Sequence, residues 1–328
     1  MLDADVEVDR RAFTVRIALQ VAPGERLALF GPSGAGKTTL LEVIAGLVPP
    51  RRGHIELGGR VLTSTAPPVR AVPPWQRRVG LLRQDPGLFP HLSVRDNLCY
   101  APSATPSDAE LSSLASLLGI GNLLAAMPAR LSGGQAHRVA LGRLLLAHCD
   151  ALLLDEPYTG LDASLRRTLT NQVGFLVSER SVPAILVAHE LADAQAFADR
   201  LAVLDRGELL QVGAPDEVVL RPASRRVAEL VGYLGFVPSE HMVAGVHPER
   251  VIPGSFADRG LVLTGTVTAS RPAGAGWEAD LRVGDAPVTC RLPDRPPASG
   301  RDLVVTVLDP PYFGSDGALN RLEAHLES

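Results

Sequence analysis

Gly31-Pro32-Ser33-Gly34-Ala35-Gly36-Lys37-Thr38 has the spacing of a loop built to hold phosphate: a glycine, four residues, then Gly-Lys-Thr. Backbone N–H groups converge on phosphate oxygens where the chain tolerates positive φ and close approach, which glycine supplies. A helix opening after the loop, with Thr39 in its first turn, adds the partial positive charge of its N-terminus. In that frame Lys37 reaches the β- and γ-phosphates and the Thr38 hydroxyl ligates Mg2+. Composition sharpens the reading, because among the 32 Lys plus Arg residues Lys37 is the single lysine. Arginine serves wherever a positive charge suffices, so the one ammonium belongs where a guanidinium fork does not fit.

A second set of groups stands behind an apolar run. Ala151-Leu152-Leu153-Leu154-Asp155-Glu156-Pro157 reads as a buried strand ending in two carboxylates. Asp155 can bind Mg2+ through water, as the acidic partner of a phosphate loop does. Glu156 would face the γ-phosphate and polarise the attacking water. A strand cap followed by a solvated acidic turn is the plainer alternative, and the loop upstream weighs against it. Val187-Ala188-His189-Glu190 ends another strand, where His189 can hold the water and Glu156 in line, although a strand-end histidine is more often structural. Gln84, after Val79–Leu82, is as weak a signal taken alone, and could ligate Mg2+ and sense the γ-phosphate. Leu131-Ser132-Gly133-Gly134-Gln135 forms a capping box, with Ser132 as N-cap and Gln135 closing it. Gly133 and Gly134 leave the backbone donors bare at the positive helix end, ready for an anion. One triphosphate does not fill this site and the phosphate loop of the same chain at once.

The elements that must position these groups follow from periodicity. Phe13, Val15, Ile17, Leu19 and Val21 alternate with polar residues as a half-buried strand, hairpinned to 3–8 through Asp9-Arg10-Arg11. Residues 26–30 read as a buried strand entering the loop, and 38–47 as the helix leaving it. From 85 to 147 the pattern is mainly helical. Strands return at 151–154 and 184–188 around a helix at 164–178, an alternation that implies a parallel sheet with right-handed crossovers. Residues 201–204 and 208–212 flank Asp205-Arg206-Gly207 as a hairpin. Beyond Gly213 and a helical stretch to about 231, Pro and Gly recur every few residues between β-like segments at 261–269, 277–283, 287–291 and 302–307. Such segments suggest a small barrel or sandwich, with a boundary near 235.

At 328 residues the chain has room for two domains, and 46% apolar with 21% charged residues is a globular balance. No apolar run approaches the roughly 18 residues that span a bilayer, and the N-terminus has neither the basic start nor the apolar stretch of a signal peptide. Membrane work is therefore expected through a partner. A net charge of −4 argues against a nucleic-acid surface. The three cysteines, Cys99, Cys149 and Cys290, fit no metal or disulfide spacing, so a reducing compartment is expected.

Taken together and in order, the phosphate loop, Gln84, the LSGGQ run, the LLLLDEP stretch, the Gly160-Leu161-Asp162 turn and His189 resemble the ABC ATPases over about residues 3–235. The resemblance implies an α/β P-loop NTPase of residues 1–235. It has a parallel-sheet core, an N-terminal antiparallel β subdomain and a helical subdomain at about 85–148. Residues 236–328 would form a small all-β accessory domain like an OB barrel or a molybdate-binding module. It also implies ATP with Mg2+ held by Thr38, Gln84 and Asp155, and a homodimer enclosing two ATP molecules. In it Ser132, Gly133, Gly134 and Gln135 of one copy face the phosphates on Lys37 of the other, with Asp162 supplying the acid of the turn between sites.

This sequence departs from the family in three places. No clear aromatic precedes the loop for adenine, where an Arg guanidinium is the alternative to Phe13. His137 stands in Ala136-His137-Arg138 where the family often has Gln, and Gly160-Leu161-Asp162 lacks the usual Ser. Arg77-Arg78-Val79-Gly80 and the 84–94 stretch look like molybdate-importer ATPases, while sulfate, iron, polyamine and sugar importers share the plan. The expected partners are transmembrane permease subunits, docking near Leu88, Phe89 and Leu92, and indirectly a solute-binding protein, at the cytoplasmic face of the cell membrane. The rivals are a non-transport ABC ATPase, a non-hydrolysing regulatory binder and an exporter.

Overall fold

The structure is a computed structural model that describes residues 1–10, 13–101, 106–158, 161–239 and 241–319. It divides into two compact units, Met1–Pro215 and Asp216–Ser328.

The first unit is built on one sheet of eleven strands. They are β1 (Leu2–Asp9), β2 (Thr14–Val21), β3 (Arg26–Phe30), β4 (Arg52–Leu57), β5 (Arg60–Ser64), β6 (Arg70–Ala71), β7 (Val79–Leu82), β8 (Ala151–Asp155), β9 (Ala184–Val187), β10 (Arg200–Asp205) and β11 (Glu208–Gly213). Their order is β6-β5-β4-β1-β2-β11-β10-β3-β9-β8-β7. From β10 to β7 neighbours run parallel; from β6 to β2 they run antiparallel. The two halves meet through one pair, Glu208 with Arg16.

Chemistry follows pattern here. Strands β8 and β9 are buried at every residue, as parallel strands covered on both faces must be. Strand β2 alternates inward Val15, Ile17, Leu19 and Val21 with outward Arg16, Ala18 and Gln20. Among the described residues this unit carries six α-helices: α1 (Lys37–Ala45), α2 (Val94–Leu98), α3 (Asp108–Leu117), α4 (Gly133–Leu146), α5 (Ala163–Arg180) and α6 (Leu191–Phe197). Leu40, Leu41, Val43 and Ile44 of α1 are fully buried in the core formed with β1, β2, β3, β8 and β9. No helix among the described residues is long and apolar enough to cross a membrane.

The second compact unit begins at Asp216, about twenty residues before the expected domain boundary near 235. Its helices α7 (Pro215–Leu220) and α8 (Arg225–Leu230) read in sequence as the end of the α/β layer. Long-range backbone bonds invisible in the sequence tie this stretch to the C-terminal strands: Arg225 N–H to Gly317 O at 2.8 Å and Leu319 N–H to Ala223 O at 3.1 Å. The rest is all-β: β12 (Phe236–Ser239), β13 (Met242–Gly245), β14 (Val251–Pro253), β15 (Gly260–Ala273), β16 (Gly276–Val283), β17 (Ala286–Leu292), β18 (Asp302–Leu308) and β19 (Tyr312–Phe313). They form a three-stranded sheet, β12-β13-β19, and a five-stranded sheet, β14-β18-β15-β16-β17.

One buried cation holds the floor of the phosphate-loop helix. Arg77 is 4% exposed and has no carboxylate partner among the described residues. Its guanidinium donates to the carbonyls of Ile44 (2.8 Å), Val43 (3.2 Å) and Val72 (2.8 Å) and to Thr63 Oγ1 (2.8 Å). Two of those carbonyls end α1, where the negative end of the helix dipole favours a cation. Burial lowers the Arg77 pKa. Arg77→Ala leaves these acceptors short of donors, and we expect a loss of about 3 kcal/mol of unfolding free energy. Urea denaturation measures it, and a loss under about 0.5 kcal/mol would mean that the guanidinium contributes nothing.

Candidate functional site

Four of the loops singled out in the sequence leave the C-terminal ends of four adjacent parallel strands. Register aligns Leu29 with Val187, Val187 with Asp155 and Leu154 with Leu82. The phosphate loop after β3, His189 after β9, Asp155 and Glu156 at the end of β8, and Gln84 after β7 therefore open toward one side. This is the crevice where open α/β sheets place ligands.

A cleft of about 360 Å³ opens there, lined by Ser33, Gly34, Gly36, Lys37, Thr38, Thr39, Gln84 and Glu156. Arg10 and Phe13 complete its wall. Gly36, the N-cap of α1, has φ +104, and a Cβ there would press on Val15 at 2.9 Å. Gly31 has φ +148, and a side chain would run into the Leu204 carbonyl. Only glycine fits either position. The loop is also braced by the tight turn between β10 and β11, where Arg206 and Gly207 both have positive φ. Gly207 N–H donates to Ala35 O at 2.9 Å, and Gly207 O accepts from Arg16 N–H at 2.7 Å.

Lys37 is 8% exposed, and its ammonium donates to the carbonyls of Gly31 (2.7 Å) and Pro32 (2.9 Å). Burial lowers its pKa, against the pull of Glu156 and Asp155. Asp155 is 2% exposed and accepts from Thr38 Oγ1 at 3.2 Å. Burial raises its pKa, opposed by that hydrogen bond. A buried carboxylate touching a hydroxyl, both at the mouth of a phosphate loop, is an all-oxygen set suited to Mg2+. That ion keeps several waters and shares its shell with phosphate oxygens. No cluster of three or more His, Cys, Asp or Glu able to hold a metal alone occurs among the described residues. The set therefore fits a metal arriving with a nucleotide.

Glu156 takes φ +51, a left-handed conformation costing a non-glycine residue roughly 1 kcal/mol. Its N–H donates to Val187 O at 3.2 Å. His189 lies exposed just past β9 and is not part of the cleft wall. The neighbouring Glu190 is anchored by Arg166 of α5 at 3.0 Å, which also holds Asp193 at 3.1 Å.

Ser132 and Gln135 form the expected reciprocal capping box: Gln135 N–H donates to Ser132 Oγ at 3.3 Å, and Ser132 N–H to Gln135 Oε1 at 2.9 Å. A Cβ on Gly133 would meet nothing within 4 Å, so the helix end is bare. None of Ser132, Gly133, Gly134 and Gln135 lines the cleft of its own chain. Asp162 caps α5, accepting from the N–H groups of Ser164 and Leu165 at 3.0 Å each. These bonds, Leu165 first, hold its pKa down. Gly160 of the same turn lies outside the described residues, as does Arg11 of the first hairpin.

Sequence reading left Phe13 and an Arg guanidinium as alternatives beside the loop, and the structure puts both Phe13 and Arg10 on the cleft wall. Phe13 was expected on the inward face of β2; the strand starts at Thr14, and the ring packs against the core beside β2 as well as on Gly207, lining the cleft. Arg10 Nε donates to Thr39 Oγ1 at 3.0 Å, fixing its guanidinium over the start of α1. Alternation could not reveal either, because both belong to the turn. His137 of α4 is 6% exposed and bonds the Pro157 carbonyl at 3.1 Å.

A glycine-lined loop on α1, a lone buried ammonium, a hydroxyl–carboxylate pair and an adjacent glutamate define a P-loop nucleotide site on an α/β sheet. Comparison makes the class specific. The ABC transporter family matches residues 15–159. A glycerol-3-phosphate import ATP-binding protein of Rhodopseudomonas palustris is 34% identical over 341 residues, covering 90% of this chain and 91% of that one. An iron(III) import ATP-binding protein of Pseudomonas fluorescens is 42% identical over 68% of this chain, a match that spans 63% of the relative's length. A molybdenum import ATP-binding protein of Mesorhizobium japonicum is 42% identical over 62% of this chain and 56% of its own. A solved ATP-binding subunit of an ABC transporter superposes with TM-score 0.58 at 28% identity, covering 71% of this chain and 95% of that structure. The chain belongs to the ABC transporter family, among its ATP-binding subunits of importer type.

The carbonyls of Gly31 and Pro32 sit where a compact ammonium reaches and a planar fork does not. Lys37→Arg is expected to lower ATP turnover by about 100-fold or more while leaving the thermal midpoint unchanged. Turnover within about threefold of the parent would show that any cation serves there.

Proposed function

We propose that this chain hydrolyses ATP as a pair of identical copies beneath separate permease subunits, at the cytoplasmic face of a membrane, and drives solute import. The observation that carries the reading is Glu156, held on the cleft wall one residue beyond the buried Asp155. Its carboxylate is placed to orient and polarise a water in line with the γ-phosphate. Lys37 and the loop N–H groups stabilise charge on the transferred phosphoryl, and His189 steadies the γ-phosphate from the neighbouring strand end. Thr38, Gln84 and, through water, Asp155 would hold Mg2+, which would neutralise phosphate charge when bound.

Ser132, Gly133, Gly134 and Gln135 of the second copy complete the site, since in their own chain they stand apart from the cleft. Asp162 belongs to the same junction. ATP binding closes the pair and hydrolysis reopens it, a two-state cycle that a permease can read as alternating access. Glu156→Gln removes the base yet keeps the carboxylate's shape. It should abolish turnover and trap an ATP-bound dimer, visible as a doubled mass by size exclusion with ATP. Parent-level hydrolysis by this variant would remove Glu156 from the mechanism.

The permease surface is the segment after Gln84. Phe89 stacks on Tyr100 at 3.9 Å between ring centroids, and Arg143 lies 5.4 Å from the Phe89 ring. Asn97 Nδ2 donates to the carbonyls of Phe89 and Leu92, so the loop presents a fixed apolar face beside the γ-phosphate sensor. The cargo we propose is molybdate or a related oxyanion, supported by the motif resemblance and the molybdenum relative. Ferric iron is the second reading, because an iron relative is equally identical at 42%. Affinity purification from membranes should retain permease subunits, and lose them with Phe89→Ala. The solute retained by the accompanying binding protein decides the cargo, and iron there would overturn the oxyanion reading.

A further inference from the structure

We propose that His137 is a positioning residue that ties the Ser132 helix to the catalytic glutamate, and through it one nucleotide site to the other. The inference deepens the reading above and rests on it.

His137 lies in the second turn of α4, five residues beyond the Ser132 N-cap, and is 6% exposed. Its Nε2 lies 3.1 Å from the carbonyl oxygen of Pro157. A carbonyl only accepts, so the imidazole is the donor and carries its proton on Nε2. Burial favours the neutral ring. Pro157 directly follows Glu156, whose left-handed φ of +51 persists only if the surroundings hold it. Two bonds from different elements do so. Upstream, Glu156 N–H is fixed to Val187 of β9 at 3.2 Å; downstream, the Pro157 carbonyl is fixed to α4 through His137. Proline has no N–H and a locked φ, so its carbonyl is the one backbone group by which that residue is oriented.

Helix α4 is capped by the reciprocal Ser132–Gln135 box, and in the proposed pair of copies its bare N-terminus faces the nucleotide on the partner copy's Lys37. Glu156 acts on the nucleotide of its own chain. A movement of α4 on engaging one nucleotide therefore passes through His137 to the carboxylate that cleaves the other. A buried histidine that merely satisfies its own hydrogen bond would contribute to stability without linking the two sites.

The test compares His137→Leu, which fills the space without a donor, with His137→Gln, whose side-chain amide still donates to the Pro157 carbonyl. Steady-state ATPase kinetics of the full chain in its transport complex should show kcat lowered about tenfold in His137→Leu, with KM for ATP changed less than about threefold. The Hill coefficient for ATP should fall toward one, a readout that a packing role does not move. His137→Gln should restore both. Parent-level kcat and cooperativity in His137→Leu would overturn the proposal, as would equal losses in the two variants. If His137→Leu fails to fold, a folded His137→Gln protein with kcat lowered more than about tenfold overturns it, and retained kcat and cooperativity support it. Glu156→Gln separates the two levels. If that variant is inactive while His137→Leu is unaffected, the link alone fails; if it hydrolyses ATP normally, the underlying reading fails.

Discussion

The structure turns on two opposite charges kept out of water without being allowed to neutralise each other. Lys37 and Asp155 are both nearly inaccessible, yet among the described residues the ammonium donates to carbonyls and the carboxylate accepts only from the Thr38 hydroxyl. Burial acts on each toward its uncharged form. A polyphosphate accompanied by a divalent cation would supply both missing partners together, so that affinity would arise from charge the protein holds ready. Preorganisation of this kind is also what transition-state stabilisation of phosphoryl transfer requires, since nothing need rearrange as charge shifts between oxygens.

Holding such groups in place explains much of the surrounding architecture. The strands carrying them are buried on both faces and in register, so their ends cannot drift independently. Arg77 locks the far end of α1, the β10–β11 turn braces the loop at Ala35, and Arg166 fastens the segment beyond His189 to α5. Each brace comes from a different part of the chain. The helix bearing Ser132 stands apart from its own cleft, and in the proposed pair of copies it is the part that looks outward for its ligand.

Much of this was legible in the sequence because it rests on short-range chemistry. Gly31 to Thr38 need particular backbone angles, the apolar run before Asp155 can only be a buried strand, and Ser132 with Gln135 spells its own cap. Periodicity likewise located β2, β8, β9 and the β15–β18 strands to within a few residues. What escaped depends on partners distant in the chain. Alternation placed Phe13 in β2, but it belongs to the hairpin turn, where its ring packs on Gly207 as well as on the core. The helices after Pro215 look like a continuation of the α/β layer, and only bonds to residues 317–319 assign them elsewhere. His137 reads as a neutral substitution until the Pro157 carbonyl is seen above it.

The scarcity of lysine has a further effect. Apart from the terminal α-amine, acylating reagents have one amine on this chain, and burial favours its nucleophilic, unprotonated form. Acetylation or ubiquitin attachment within the chain would have to occur at the phosphate-binding nitrogen itself. The molecule thus carries no neutral handle for lysine-directed tagging or turnover, and the labelling of that single amine serves as a gauge of how full the nucleotide site is.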